Sequence, residues 1–112
     1  MANSNVLAQI DEQVKKNKII IYMKGTPSFP MCGFSAATVE VLDSYDVPYE
    51  SVNVLEDPAI REGIKRYSNW PTIPQVYING ELVGGCDIVR EMYQSGELQE
   101  LLSTRGIDTK AA

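Results

Sequence analysis

The chain has no histidine and only two cysteines among its 112 residues. Without histidine, one chain cannot build a Cys/His zinc site, a Cys–His nucleophilic dyad or a Ser-His-Asp triad. Two cysteines are too few for the disulfide framework of a small secreted scaffold, so they read as free thiols kept for chemistry or packing. Basic tracts are missing too: Lys15-Lys16 and Lys65-Arg66 are isolated pairs in a chain of formal net charge −5. No nucleic-acid or anionic-membrane surface is expected. No apolar run approaches the ~20 residues that cross a bilayer. Residues 1–11 have neither a cationic start nor an apolar core, and they are not Arg-rich as a transit peptide is. The expected location is therefore cytoplasmic. What is present is ordinary, with 44% hydrophobic and 22% charged residues, as in a water-soluble globular protein. The length predicts one domain over residues 1–112, structured over about 5–103, with 106–112 as a frayed tail.

Along the chain, helical and extended patterns alternate. Val6, Leu7, Ile10 and Val14 recur at helical spacing, with Asp11–Lys15 and Glu12–Lys16 as i,i+4 pairs on the exposed side. Ile19-Ile20-Ile21-Tyr22-Met23 is an uninterrupted apolar run suited to a strand buried on both faces. Lys24 to Pro30 is turn-rich. From Gly33 a helix is expected, with Phe34, Ala37, Val41 and Tyr45 on one side, and Tyr49 to Val54 reads as a second strand. Asp57-Pro58 is a helix start, an N-cap acceptor followed by proline at the first helical position; Ile60, Ile64 and Tyr67 then form an apolar stripe. Trp70 to Pro74 must be extended, because each proline pushes its predecessor out of helical space. Val76-Tyr77-Ile78 and Glu81-Leu82-Val83 flank Asn79-Gly80, the turn dipeptide of a tight hairpin. A last helix starts at about Cys86 or Asp87 with Ile88, Val89 and Met92 inward, and Leu98, Leu101 and Leu102 close the structured part. A β-α-β unit followed by a hairpin and a helix is the order of a thioredoxin-like α/β fold, a central mixed four-stranded sheet flanked by helices.

Cys32 stands where the turn-rich stretch gives way to a helix. Backbone N–H groups and the macrodipole at a helix start favour an anion, so the thiolate is stabilised there. Thiolate is the form that attacks disulfides and ligates metals. The bland alternative is a packed, inert cysteine, but small Gly33 and Ser35 leave the sulfur open. Ser35 occupies the position where a Cys-x-x-Cys oxidoreductase has its second thiol. A hydroxyl cannot resolve a mixed disulfide, so Cys32 depends on an external thiol or on Cys86.

Met23-Lys24-Gly25-Thr26-Pro27, Cys32-Gly33-Phe34-Ser35, Trp70-Pro71-Thr72-Ile73-Pro74-Gln75 and Gly84-Gly85-Cys86-Asp87 stand in the order and spacing of the short single-domain monothiol (CGFS-type) glutaredoxins. The chain resembles that family over roughly residues 5–103. The resemblance implies a glutaredoxin fold and a [2Fe-2S] cluster shared between two protomers, each giving its Cys32 and one bound glutathione. It implies carriage or delivery of that cluster, homodimerisation when the cluster is bound, and partnership with a BolA-like protein and with iron-sulfur recipient apoproteins. Such a cluster needs four ligands, normally thiolates, so two Cys32 and two glutathione thiols would complete the set.

The resemblance also assigns glutathione-binding residues. Lys24 pairs with the glycine carboxylate or supports the Cys32 thiolate, against the plain reading of a solvated lysine. Arg61 meets the same carboxylate, whereas Lys65, one turn on, is expected on a solvated face. A cis peptide before Pro74 exposes the Ile73 backbone to pair with glutathione; for an unassigned X-Pro bond the cis share is only about 5–6%. Asp87 binds the ligand's ammonium group, a role compatible with a simple N-cap. Cys86 packs at the site with backbone contact to glutathione, and its alternative is an occasional disulfide with Cys32. Trp70 and Tyr22 read as core or rim aromatics.

Two other functions compete. A glutathione-dependent thiol-disulfide oxidoreductase, removing glutathione from mixed disulfides, would use the same Cys32 and the same groove; on family analogy the longer, proline-bearing Thr26–Met31 lead-in disfavours it. A non-catalytic scaffold would need an unreactive Cys32.

Overall fold

Every second residue of the central strand faces a different core. The computed structural model describes residues 2–109, and the side chains of residues 5–109. Its elements are α1 (Ala2–Lys16), β1 (Ile19–Met23), α2 (Gly33–Ser44), β2 (Glu50–Asn53), α3 (Pro58–Ser68), β3 (Gln75–Ile78), β4 (Glu81–Gly84), α4 (Cys86–Ser95) and α5 (Glu97–Thr104). The sheet order is β2-β1-β3-β4, with β1 parallel to β2 and antiparallel to β3, and β3 antiparallel to β4. This mixed four-stranded sheet with helices on both faces is the thioredoxin-like fold that the element order predicted.

Alternation along β1 explains the layering. Ile19, Ile21 and Met23 pack with Val39, Leu42, Val89, Leu98 and Leu102 of α2, α4 and α5. Ile20 and Tyr22 turn the other way, onto Ile10 and Val14 of α1 and Ile60 and Ile64 of α3. All five strand residues are buried, which is why the segment is apolar at every position and not at alternate ones. Asp57 caps α3 through Oδ1, which accepts the Ile60 N–H at 3.2 Å, and Asn79 and Gly80 take left-handed φ values of 52° and 82° in the hairpin turn. Gly96, also left-handed, separates α4 from α5. No described helix is long and apolar enough to cross a membrane.

Three expectations are corrected. Phe34 is not inward: it is 62% exposed, because at the first turn of α2 it borders an open groove, and the buried face of that helix is Ser35, Thr38, Val39, Val41 and Leu42. Of Ile88, Val89 and Met92, Val89 is fully buried and Met92 packs half-buried against the same core, as expected, whereas Ile88 lines the groove. The tail does not fray at residue 106: the Ile107 N–H donates to Leu102 O at 2.9 Å, and its side chain joins the core beside Leu98 and Leu102. The remainder of that expectation, residues 110–112, lies outside the described residues.

Candidate functional site

The site lies at one end of the central strand pair. β1 runs out at Met23 into Lys24, and antiparallel β3 begins at the same edge, Gln75 pairing with Tyr22. Just before β3, the Ile73–Pro74 peptide is cis. The start of α2 brings Cys32, α3 brings Arg61 and Lys65, and the start of α4 brings Gly85, Cys86 and Asp87. Together with the Trp70–Pro74 segment they enclose a groove of about 510 Å³, within the ~300–1,000 Å³ typical of small-molecule sites.

The loop ahead of Cys32 is a small folded unit. Thr26 and Phe29 exchange backbone hydrogen bonds at 3.0 and 3.2 Å around Pro27-Ser28, and the Met31 N–H donates to Lys24 O at 2.8 Å. Gly25 makes this possible: its φ is +95°, and a Cβ there would collide with Phe29 O and Met31 N. Its N–H donates to Asn53 Oδ1 at 2.9 Å, tying the loop to the end of β2. The result leaves Phe29 (78%) and Met31 (67%) exposed in the loop that leads into Cys32.

Cys32 is the N-cap residue of α2, in extended backbone conformation, and its carbonyl accepts the Ala36 N–H at 2.9 Å. Its thiol pKa lies below the ordinary value, first because the Ser35 backbone N–H donates to the sulfur; the Phe34 N–H, the Lys24 charge and the Ser35 hydroxyl add to this, against partial burial. Cys32 is half-buried as a residue and its thiol is free, and Cys86 is free and buried. Ser35 is wholly buried, so the hydroxyl that replaces a second thiol is a structural element here, accepting the Lys24 N–H at 3.1 Å.

All six residues singled out in the sequence line this one groove: Cys32, Lys24, Arg61, Ile73, Cys86 and Asp87. Two of the lining cations are Lys24, after β1, and Arg61, on α3, and among the described residues neither has an ion-pair partner. Asp87 lines the groove from the start of α4. It is not the N-cap: that position belongs to Gly85, and Asp87 sits in the first turn of α4. Lys65 also lines the groove while pairing with Glu62 at 3.5 Å, so it is less solvated than its surface-helix position suggested. Tyr22 is a core residue and Trp70 a rim residue. The sequence reading overlooked Asn53, which anchors the loop, and Gln75, a buried amide behind the groove. Asn53 gave only the weak signal of a polar residue between two valines. Among the described residues no three His, Cys, Asp or Glu side chains converge as a metal site; one open, acidified thiol beside a ligand groove fits a metal group only as a shared ligand.

A profile of the glutaredoxin family matches residues 19–83. A monothiol glutaredoxin of Synechocystis, ycf64-like, is 56% identical over 100 residues, covering 89% of this chain and 94% of the relative. The solution structure of reduced apo GrxS14 from poplar superposes with a TM-score of 0.81 at 49% identity, covering 94% of this chain and 97% of the other. A buckwheat glutaredoxin solved in complex with glutathione shares the fold, with a TM-score of 0.84 at 22% identity and 96% coverage of each chain. The chain therefore belongs to the glutaredoxin family, in its monothiol class.

Proposed function

We propose that this monothiol glutaredoxin binds glutathione in the groove and, as a pair of copies, carries a [2Fe-2S] cluster held by two Cys32 thiolates and two glutathione thiols. The observation that carries this reading is that an acidified Cys32 lines the same groove as Lys24, Arg61 and Asp87. Glutathione has two carboxylates, one ammonium and one thiol. Lys24 and Arg61 suit the carboxylate of its glycine end, Asp87 suits the ammonium, and the thiol then lies towards Cys32. Cys86 and Ile73 line the groove between them and supply backbone polar groups.

The cluster is cargo in this reading, and the protein's part is to present thiolate and exclude competing chemistry. A lowered pKa enlarges the thiolate, ligating share of Cys32 at any given pH. Ser35 offers no second thiol to displace a ligand. The exposed Phe29, Met31 and Phe34, which flank Cys32 in the chain, suit a face that meets a second copy once the cluster joins them. Recipient apoproteins and a BolA-like partner would meet the same end of the molecule, and the reducing cytoplasm would keep both cysteines as thiols.

The second reading is deglutathionylation, favoured by the same open Cys32 sulfur. Its thiolate would attack the glutathione sulfur of a mixed disulfide, releasing the substrate thiolate. A second glutathione would then attack the Cys32–glutathione disulfide, restoring Cys32 and leaving oxidised glutathione.

Anaerobic reconstitution with iron, sulfide and glutathione separates the two. The carrier reading expects a coloured dimer by visible absorption and gel filtration, lost in Cys32→Ser and lost without glutathione. A colourless monomer with brisk turnover of a glutathione mixed disulfide would sink it.

A further inference from the structure

Behind the groove, where β3 starts, the core contains one whole amide. Gln75 is 0% exposed, in a strand whose other members, Val76, Tyr77 and Ile78, are buried mainly as apolar bulk. A buried primary amide is costly unless its groups are paired. Gln75 Nε2 donates to Trp70 O at 3.2 Å and to Thr72 O at 3.1 Å, and Oε1 accepts the Tyr77 hydroxyl at 3.0 Å. Both amide hydrogens are thus used on carbonyls two residues apart in the Trp70–Pro74 segment, which belongs to no strand or helix.

Beyond the burial of Ile73 in the core beside Ile60, Ile64 and Tyr77, the segment has few polar anchors. Its first residue is held through the Trp70 N–H, which donates to Lys65 O at 3.2 Å and Ser68 Oγ at 3.1 Å. The Trp70 indole N–H is buried with no acceptor among the described residues, so the side chain adds no polar anchor. Gln75 does not itself line the groove, whereas Trp70, Thr72 and Ile73 do.

We propose that Gln75 is the positioning residue of the ligand groove: its side-chain amide clamps the Trp70 and Thr72 carbonyls and so sets where the Ile73 backbone meets the ligand. Two donors on one planar group fix both the distance and the direction of those carbonyls. Any apolar residue would fill the volume and leave two backbone acceptors unpaired. The proposal deepens the glutathione reading and rests on it for ligand affinity, but not for the order of the segment.

The test uses Gln75→Leu and Gln75→Glu in the full chain, with three measurements: calorimetric titration with reduced glutathione, ¹⁵N relaxation of the Thr72 and Ile73 amides without ligand, and the alkylation rate of Cys32. For Gln75→Leu, glutathione binds about tenfold more weakly, the two amides show exchange broadening, and Cys32 reacts as in the wild type. Gln75→Glu keeps the acceptor for Tyr77 and loses the two N–H donors. When protonated it regains one O–H donor, so its affinity relative to wild type recovers as pH falls from 8 to 5. That pH dependence is not expected of a residue that merely fills the core. Wild-type affinity with quiet amides in both variants overturns the proposal, as does a lowered melting temperature with affinity retained. If the wild type fails to bind glutathione, the glutathione reading is lost, and the amide relaxation alone decides the role of Gln75.

Discussion

The backbone N–H of Lys24 donates to the buried Ser35 hydroxyl at 3.1 Å, so a single side chain fastens the end of β1 to the first turn of α2. The same serine acidifies Cys32 through its backbone N–H and its hydroxyl. Strand, helix and thiol are coupled at one residue.

Ser35→Ala should therefore have two effects. It leaves the Lys24 N–H without its acceptor, which costs about 1–3 kcal/mol, read by urea unfolding. It also raises the midpoint of Cys32 alkylation against pH, but only part of the way to an ordinary thiol, since the residue-35 N–H remains. An unchanged unfolding midpoint would contradict the fastening role.

Lys24→Gln removes one acidifying charge, and the alkylation midpoint of Cys32 should rise while the Ser35 contribution persists. The sign for stability follows from the depressed pKa of Cys32. Below its folded pKa the thiol is neutral in both states and contributes nothing. Stability then grows as pH rises from the folded pKa towards the reference value of 9.0, and above that it is fully present. Cys32→Ser should flatten this slope in unfolding measured from pH 5 to 9.

Arg61→Gln should weaken glutathione binding about tenfold or more, as loss of a charge-assisted hydrogen bond does. Esterifying the glycine carboxylate of glutathione should weaken wild-type binding similarly and leave the Arg61→Gln variant little affected, because the two changes remove one interaction. Additive losses in calorimetry would place Arg61 elsewhere in the groove.

Gly25→Ala should destabilise the protein by more than about 1 kcal/mol, because alanine tolerates a φ of +95° poorly and its methyl meets the Phe29 and Met31 backbone. Equilibrium unfolding measures this, with Gly33→Ala as a control, since nothing lies within 4 Å of a Cβ built there.

Ile107→Ala should cost about 2–5 kcal/mol, since the side chain is 6% exposed against Leu98 and Leu102. Exposed Asp108→Ala serves as the neutral comparison in thermal unfolding.

Much of this was legible in the sequence because local chemistry and global position agree. Asp57-Pro58 starts α3, Asn79-Gly80 turns the hairpin, and the all-apolar β1 is buried on both faces. Five of the six groove-lining residues were singled out through ordered motifs and Arg61 through the family resemblance alone, and no periodicity pointed to their meeting in one groove. What escaped depends on tertiary context. Phe34 has the spacing of a core residue, but helical period does not tell where the neighbouring layer ends. Ile107 stands alone between Gly106 and Asp108, so only its contact with α5 marks it as core. Gln75 and Asn53 look like surface polars until their partners, distant or out of period, are known.

The pairing of Tyr22 with Gln75 has one more consequence. Two residues that line the groove, Lys24 and Pro74, leave directly from two strands joined by the central hydrogen-bond ladder. They cannot separate without breaking the middle of the sheet. These two edges of the groove are therefore preorganised, and a ligand seated between them has little ordering entropy to overcome there. Differences in affinity among ligands should then appear mainly in how fast they leave.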